Sequence, residues 1–284
     1  MIKKTALFHD ISCYGRCALS VIIPIISVLK LQPVIFPTAL LSTHTGGFTD
    51  YTFLDLTAEI KKIIAHYNKL NLAPDCVYTG FLGSIEQINI ISEYITEQKK
   101  RGAFIFVDPV MADNGELYSS YTEEMKNGMI KLAVHADIIT PNITEAFFLL
   151  GMDCSPPPIS QTLADKIIED LFFLCGYNTK KIVITGVDIK DKGYGAVYGE
   201  NINGDIIKDS VLTFKREKNY PGSGDIFSAV LCGLILNGAA LQKAVETSVE
   251  FLNKIIDYTT IEGTPVREGL IFEKFLSELR LTEG

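Results

Sequence analysis

A glycine-rich turn runs directly into an apolar, helix-compatible segment at Asn219-Tyr220-Pro221-Gly222-Ser223-Gly224-Asp225-Ile226-Phe227-Ser228-Ala229. The start of a helix offers unpaired backbone N–H groups and the positive end of the helix dipole, which together bind anions such as a phosphoryl group. Asp225 would lie beside that anion, where a carboxylate is costly unless it has a task. Accepting a proton from an attacking hydroxyl is the plainest such task, so the segment favours phosphoryl transfer.

The same segment also fits an ordinary surface loop, in which Gly222 and Gly224 supply positive φ angles and Asp225 caps the following helix. It is not a Walker A motif, because no Gly-Lys-Ser or Gly-Lys-Thr follows the glycines, and it lacks the third glycine of a dinucleotide fingerprint. The rest of the chain has to decide between the two interpretations.

The composition predicts a single domain that covers residues 1–284. Hydrophobic residues make up 47% of the chain, which is ample for a large core, and no Pro/Ser-rich linker or repeat divides the sequence. The net charge of −8 argues against a nucleic-acid partner and against an anionic membrane surface.

Targeting and cysteine signals are weak. The N-terminus has no signal-peptide core, and the longest apolar region, Cys17 to Leu31, is too interrupted to span a bilayer, so we expect a soluble, cytoplasmic protein. Six scattered cysteines without a Cys-x-x-Cys pair suggest neither a zinc site nor a disulfide framework.

Short apolar runs alternate with longer amphipathic stretches, which is typical of an α/β fold with a mostly parallel sheet and helices on both faces. The predicted strands are Lys4–Phe8, Pro33–Phe36, Cys76–Thr79, Ala103–Val107, Asp137–Ile139 and Lys181–Thr185. The predicted helices are Cys17–Lys30, Asp55–Leu70, Ser84–Lys100, Thr122–Val134, Ile143–Leu150, Ser160–Cys175, Gly222–Asn237 and Leu241–Tyr258. A hairpin of Gly193–Gly199 and Asp205–Phe214 interrupts the alternation.

Polar residues that follow the strands should gather at one edge of the sheet, where ligands of such folds bind. Asn142 and Glu145 are three residues apart and can share one face of a helix start, where their oxygens suit Mg²⁺. The alternative is a capping box, with Asn142 as N-cap and Glu145 at the third helical position. We favour the metal interpretation, although the two can coexist. Asp108 can assist the metal through its waters, or initiate a turn before Pro109.

Other candidates are weaker alone. Thr45 and His44 lie in a loop that can hydrogen-bond a compact polar substrate, and Tyr14 and Phe81 can stack on a flat ring. Thr185 can contact a phosphate. A basic cluster at Lys215, Arg216 and Lys218 precedes the glycine turn and favours phosphate attraction over a merely solvated loop.

Taken in order, these segments resemble a known family over nearly the whole chain. Gly222-Ser223-Gly224-Asp225 resembles the Gly-Thr-Gly-Asp signature of the ribokinase-like superfamily. A further set of segments resembles the vitamin B6 kinases (pyridoxal, pyridoxine and pyridoxamine kinases). These segments are Tyr14-Gly15, Ser42-Thr43-His44-Thr45, Gly80-Phe81-Leu82-Gly83-Ser84, Asp108-Pro109-Val110-Met111, Asp137-Ile138-Ile139-Thr140-Pro141-Asn142-Ile143-Thr144-Glu145 and Thr185-Gly186.

The resemblance implies a ribokinase-like three-layer α/β/α sandwich that transfers phosphate from ATP to the hydroxymethyl group of a B6 vitamer. It implies Asp225 as the base, with an anion hole formed by the amides of Gly222, Ser223 and Gly224. The substrate residues would be Asp10, Ser12, Tyr14, His44, Thr45 and Phe81. The ATP residues would be Asp108, Asn142, Glu145, Thr185, Gly186 and Lys215, with Mg²⁺ served by Asp108, Asn142 and Glu145. The resemblance also implies a homodimer, and a monovalent cation is a further ion to be tested.

Two departures from the family pattern stand out. Asp10 occupies the position where many pyridoxal kinases have a ring-contacting serine, with Ser12 two residues later, and an aspartate can pair with a protonated ring nitrogen or an amino substituent. Ser223 replaces the usual threonine, a small change because the backbone amide carries the anion contact. Because of Asp10, a second function stays possible, that of a hydroxymethylpyrimidine (phosphomethylpyrimidine) kinase of thiamine biosynthesis. A non-catalytic ligand-binding member of the fold is the other alternative.

Overall fold

The computed structural model describes residues 2–279, which form a mixture of strands and helices. The strands are β1 Lys4–Ser12, β2 Gln32–Leu41, β3 Phe53–Asp55, β4 Cys76–Thr79, β5 Phe104–Val107, β6 Ala112–Asp113, β7 Glu116–Leu117, β8 Ile138–Ile139, β9 Lys181–Ile189, β10 Gly193–Ile202 and β11 Asp205–Thr213. The helices are α1 Leu19–Val28, α2 Thr57–Lys69, α3 Ile85–Lys100, α4 Glu123–Ala133, α5 Ile143–Leu149, α6 Gln161–Leu174, α7 Ser223–Leu236 and α8 Leu241–Ile261, with 3-10 helices at Val266–Glu268 and Glu273–Leu279.

The first of two compact units comprises the described residues of 1–80 and 216–284. Its strands are ordered β4-β1-β2-β3, with β1 parallel to β4 and to β2, and β3 antiparallel to β2. β1 is buried from Thr5 to Asp10, as expected of a parallel strand with both faces covered. α1 packs against α7, and α7 packs against α8. β1 ends at Ser12, and β2 leads into the loop that carries His44.

The second unit is the continuous segment Phe81–Lys215. Its strands β5, β8 and β9 are parallel neighbours in that order, β10 pairs antiparallel with β9, and β11 pairs antiparallel with β10. β6 and β7 form a separate two-stranded ribbon. α3 packs against α4, and α5 against both α4 and α6. Asp108 follows β5, and Asn142 follows β8 at the start of α5.

Each predicted strand and helix is present, and the differences lie at the boundaries and in the shortest strands. α1 begins at Leu19 rather than Cys17, because Ala18 has φ 50 and ψ −135, outside the helical region. β9 continues past Thr185 to Ile189, because its second half pairs with β10. β2 runs from Gln32 to Leu41, well beyond the predicted Pro33–Phe36.

The predicted hairpin is confirmed and is longer than expected. β10 extends to Ile202 and β11 begins at Asp205, which leaves Asn203 and Gly204 as a two-residue turn. Both turn residues have positive φ, 55 for Asn203 and 101 for Gly204, the conformation for which Asn-Gly is the preferred pair. Within residues 2–279, no helix combines the length and apolar content that crossing a bilayer requires.

Candidate active site

The glycine turn before α7 is shaped by a close backbone contact. Gly222 is the N-cap of α7 with φ 79 and ψ −1, and a Cβ atom built on it would lie 2.1 Å from the carbonyl oxygen of Arg16. No side chain fits there, so the turn requires glycine at this position. A Cβ atom on Gly224 would meet no atom within 4 Å, so the first turn of α7 faces open space. The N-terminus of α7 is therefore accessible at this turn, and its predicted role as an anion site stays a prediction.

Asp225 is the third residue of α7, and one of its carboxyl oxygens accepts two hydrogen bonds. Oδ2 accepts a hydrogen bond from the backbone N–H of Ala18 at 2.8 Å and one from the Cys17 thiol at 3.3 Å. Burial raises the pKa of Asp225 above its ordinary value, while the Ala18 and Cys17 donors and the nearby His44 side chain oppose that rise. The carboxyl group is therefore held in one orientation beside the glycine turn.

Asp10 is a second acidic group near Asp225. Its side chain is only 8% exposed, and Ser12 donates a hydrogen bond to its Oδ2 at 3.1 Å. Burial and the neighbouring charge of Asp225 raise the pKa of Asp10 to about 7. Asp10 therefore exists in both protonation states at neutral pH. The structure brings together Asp10, Ser12 and Asp225 from the predicted set.

His44 is buried and is fixed as one tautomer. Its Nε2 donates to the carbonyl oxygen of Arg267 at 2.7 Å, and its Nδ1 accepts from the backbone N–H of Gly46 at 3.1 Å. Burial lowers the pKa of His44, which favours this neutral ring. Its ring packs on Gly15, where a Cβ atom would lie 2.4 Å away.

The remaining predicted substrate residues lie on exposed or partly exposed surfaces. Tyr14 is 53% exposed and meets the edge of the Phe48 ring at 5.9 Å. Thr45 is exposed. Phe81, in the second unit, is partly buried and makes an edge contact with Tyr121 at 5.9 Å. Their predicted roles in binding a ring stay predictions.

Asn142 and Glu145 form the capping box that the sequence allowed as an alternative. Asn142 Oδ1 accepts from the backbone N–H of Glu145 at 2.9 Å, and Glu145 Oε2 accepts from that of Asn142 at 2.8 Å. Glu145 Oε1 also accepts from Met111 at 3.0 Å and Ala112 at 3.4 Å. Burial raises the pKa of Glu145 to about 8, against the effect of these three donors. Glu145 therefore joins α5 to the segment after β5.

The other candidates for binding ATP all lie in the second unit. Asp108 is 5% exposed at the end of β5, and Thr185 forms an isolated bridge with Asn142. Gly186 has φ 68, inside β9. Lys215 is already engaged, because its Nζ lies 2.9 Å from Asp188 Oδ2. Its neighbour Arg216, in the first unit, binds Asp257 and Asn253.

The donor chemistry fits a hydrated magnesium ion better than a fully protein-bound one. Asn142 uses its amide oxygen within the cap and donates from Nδ2 to the Ala112 carbonyl at 2.7 Å. In the described part of the chain, no three His, Cys, Asp or Glu residues are grouped as a metal site. Asp108 and Glu145 supply hard oxygens, and Mg²⁺ commonly keeps several waters and takes one or two protein carboxylates.

Sequence reasoning missed Cys17, Ala18 and Arg267. Cys17 and Arg267 carry no motif, and their partners Asp225 and His44 are 208 and 223 residues away along the chain. The one local signal was the predicted helix Cys17–Lys30, because its start implies a turn just before Cys17.

A model of the phosphomethylpyrimidine kinase family matches residues 23–267, most of the chain. The chain belongs to the phosphomethylpyrimidine kinase family. Within this family of kinases, it is a phosphotransferase that acts on an alcohol group.

Solved structures show the same fold. A protein of Bacteroides thetaiotaomicron, named for phosphomethylpyrimidine kinase and solved with pyridoxal, is 35% identical with a TM-score of 0.87, and the match covers 98% of this chain and 96% of that one. Pyridoxal kinase from Lactobacillus plantarum is 26% identical with a TM-score of 0.88, covering 98% and 97%. The predicted ribokinase-like three-layer α/β/α fold is confirmed.

Curated relatives divide between two substrates. The pyridoxine/pyridoxal/pyridoxamine kinase of Bordetella avium is 26% identical over 87% of this chain and 82% of its own length. The hydroxymethylpyrimidine/phosphomethylpyrimidine kinase of Staphylococcus aureus is 26% identical over 66% and 65%. The resemblance to the vitamin B6 kinases is thereby confirmed.

Proposed function

We propose that this protein transfers the γ-phosphoryl group of ATP to the hydroxymethyl group of a vitamin B6 vitamer (pyridoxal, pyridoxine or pyridoxamine), giving the 5'-phosphate. The observation that carries the proposal is the position of Asp225 beside the Gly222 turn, where its Oδ2 accepts two hydrogen bonds. The pyridoxal bound by the 35% identical Bacteroides protein supports a pyridine substrate.

In this proposal Asp225 accepts the proton of the attacking hydroxyl, and the amides of Gly222, Ser223 and Gly224 bind the migrating phosphoryl group. Asp10, Ser12, Tyr14, His44, Thr45 and Phe81 serve the ring. Asp108, Asn142, Glu145, Thr185, Gly186 and Lys215 serve ATP. Mg²⁺, held through its waters by Asp108, Asn142 and Glu145, would offset charge on the phosphate oxygens. A requirement for a monovalent cation is tested by varying that ion in the same kinase assay.

Hydroxymethylpyrimidine is the second candidate substrate, favoured by Asp10. The buried Asp10 carboxyl group accepts one hydrogen bond from the Ser12 hydroxyl and can accept another. An aminopyrimidine could donate that hydrogen bond from its amino group. Comparing kcat/KM for pyridoxal, pyridoxine, pyridoxamine and hydroxymethylpyrimidine in one coupled assay separates the candidates. The B6 proposal fails if hydroxymethylpyrimidine is preferred or if no ring alcohol consumes ATP.

The role of Asp225 is tested by Asp225→Asn and Asp225→Ala. General-base help is worth ~10²–10⁴-fold, so kcat should fall at least a hundredfold. ATP binding, measured by calorimetry, should be largely kept. Asp205→Asn, at an exposed position of the hairpin, is the control and should retain activity. Near-normal turnover by Asp225→Asn would remove the carboxylate from the base role.

Three further features belong to the proposal. The chain is one domain, acts in the cytoplasm and assembles as a homodimer. Sedimentation equilibrium should then give twice the 31.4 kDa chain mass. A mass of one chain at micromolar concentration would contradict the dimer.

A further inference from the structure

Two donors meet a single oxygen of Asp225. The Ala18 N–H and the Cys17 thiol both lie within hydrogen-bonding distance of Oδ2, at 2.8 Å and 3.3 Å. Both of these hydrogen bonds go to the same oxygen of the Asp225 carboxyl group. We propose that Cys17 and the Ala18 N–H form a carboxylate clamp, which fixes Oδ2 and leaves Oδ1 to accept the proton. This inference rests on the proposed base role of Asp225, and it makes Cys17 a positioning residue.

The thiol can serve only as a donor in this contact. Burial raises the pKa of Cys17 well above its ordinary value, and the charges of Asp225 and Asp10 raise it further. Cys17 therefore keeps its proton across the working pH range, and a protonated thiol next to a carboxylate oxygen donates to it. Cys17 is accordingly neither a nucleophile nor a thiolate here.

The backbone around the clamp is strained in the way that a functional constraint produces. Ala18 has φ 50 and ψ −135, a region sparsely populated by residues with a side chain. This conformation accompanies the N–H contact to Asp225. The preceding segment is packed on the glycine turn, since the Arg16 carbonyl leaves no room for a Cβ atom on Gly222. The clamp and the turn are thus parts of one packed arrangement.

The clamp also sets the protonation of Asp225. A hydrogen bond to the ionised carboxylate lowers its pKa, so loss of the thiol should raise it. The other groups that face this carboxyl are Asp10 from β1 and His44 from the loop after β2. A substitution at Cys17 removes neither of these groups.

The test is the pH profile of kcat/KM at saturating ATP, for the ring alcohol that the wild type accepts best. Cys17→Ala should move the acid limb to higher pH by about one unit, the size expected for one hydrogen bond to a charged group. Cys17→Ser keeps a donor and should restore the limb. Cys232→Ala removes a buried thiol from the far part of α7 and should leave the limb in place. Thermal unfolding of each variant checks that it is folded.

Three results would overturn the clamp: an unchanged limb in Cys17→Ala, an equal shift in Cys17→Ser, or an equal shift in Cys232→Ala. Repeating Cys17→Ala in an Asp10→Asn background removes the titration of Asp10, and the acid limb should still move to higher pH. If the wild type phosphorylates no ring alcohol, the proposed function fails separately. Carbon-13 NMR titration of the Asp225 carboxyl, in wild type and Cys17→Ala, then decides the clamp without catalysis.

Discussion

Gly222 precedes α7 and Gly224 lies in its first turn, and a methyl group would meet different surroundings at each. Gly222→Ala combines φ 79 with a contact of 2.1 Å to the Arg16 carbonyl. We expect it to lower the free energy of unfolding by at least about 2 kcal/mol, since strained backbone alone costs ~1–3 kcal/mol. Urea unfolding measures this loss.

Gly224→Ala is the matched variant of the same turn. Its Cβ meets no atom within 4 Å, so stability should be kept or slightly raised, because alanine is the better helix former. Its methyl group would occupy the space assigned to the phosphoryl group, so kcat should fall. Full activity in a stable Gly224→Ala protein would argue against phosphate binding at this turn.

Asp10 should make stability depend on pH. Its pKa is about 7 in the folded chain and near 3.8 when unfolded, so the folded state retains a proton that the unfolded state loses between these values. The free energy of unfolding should therefore fall as pH rises from about 4 to about 7. Asp10→Asn lacks this loss and should gain on the wild type over that interval by up to about 4 kcal/mol. A difference between the two proteins that is constant with pH would contradict the raised pKa.

The sequence pointed to residues that a local motif marks, and it missed residues whose partners only folding brings together. Asp225, Asn142 and Glu145 stand beside helix starts, which local patterns reveal. Cys17 has no such mark, because its relation to Asp225 arises from the packing of α1 against α7.

At the scale of elements, α5 depends on Glu145. The side chain accepts three backbone N–H groups, and Glu145→Ala would leave these donors buried without partners. We expect a loss on the order of 3 kcal/mol, since an unsatisfied buried donor costs ~1–3 kcal/mol. Glu145→Gln keeps one acceptor oxygen and should lose less. Ser160→Ala, which removes the exposed cap of α6, should cost only about 1 kcal/mol.

Chemical denaturation of the three variants gives the order of the losses. If Glu145→Ala is no less stable than Ser160→Ala, the capping box contributes little to stability.

Element types were predictable from sequence, because apolar periodicity and cap residues are local. The extent of β2 was not, because Pro33 and Pro37 normally interrupt a strand. β3 pairs only with Ala39–Leu41, so both prolines lie where this outer partner is absent. β3, β6 and β7 have two or three residues each, too few to show a period.

At the scale of the whole molecule, the prediction of one domain concerns two compact units, one of them an insertion within the chain of the other. If they act as one domain, calorimetric unfolding should show a single peak whose van't Hoff and calorimetric enthalpies agree. Far-UV circular dichroism should give the same midpoint. Two resolved transitions would show that Phe81–Lys215 unfolds independently and that the domain prediction is wrong.

The contacts of residues 267 and 268 bear on synthesis at the ribosome. The Arg267 carbonyl accepts from His44, and the Glu268 carbonyl accepts from Arg16 at 3.1 Å. Two loops translated early therefore wait for partners translated more than two hundred residues later. Phe81–Lys215 emerges in between and can fold during elongation, whereas the contacts of His44 and Arg16 form only after residue 268 has left the exit tunnel.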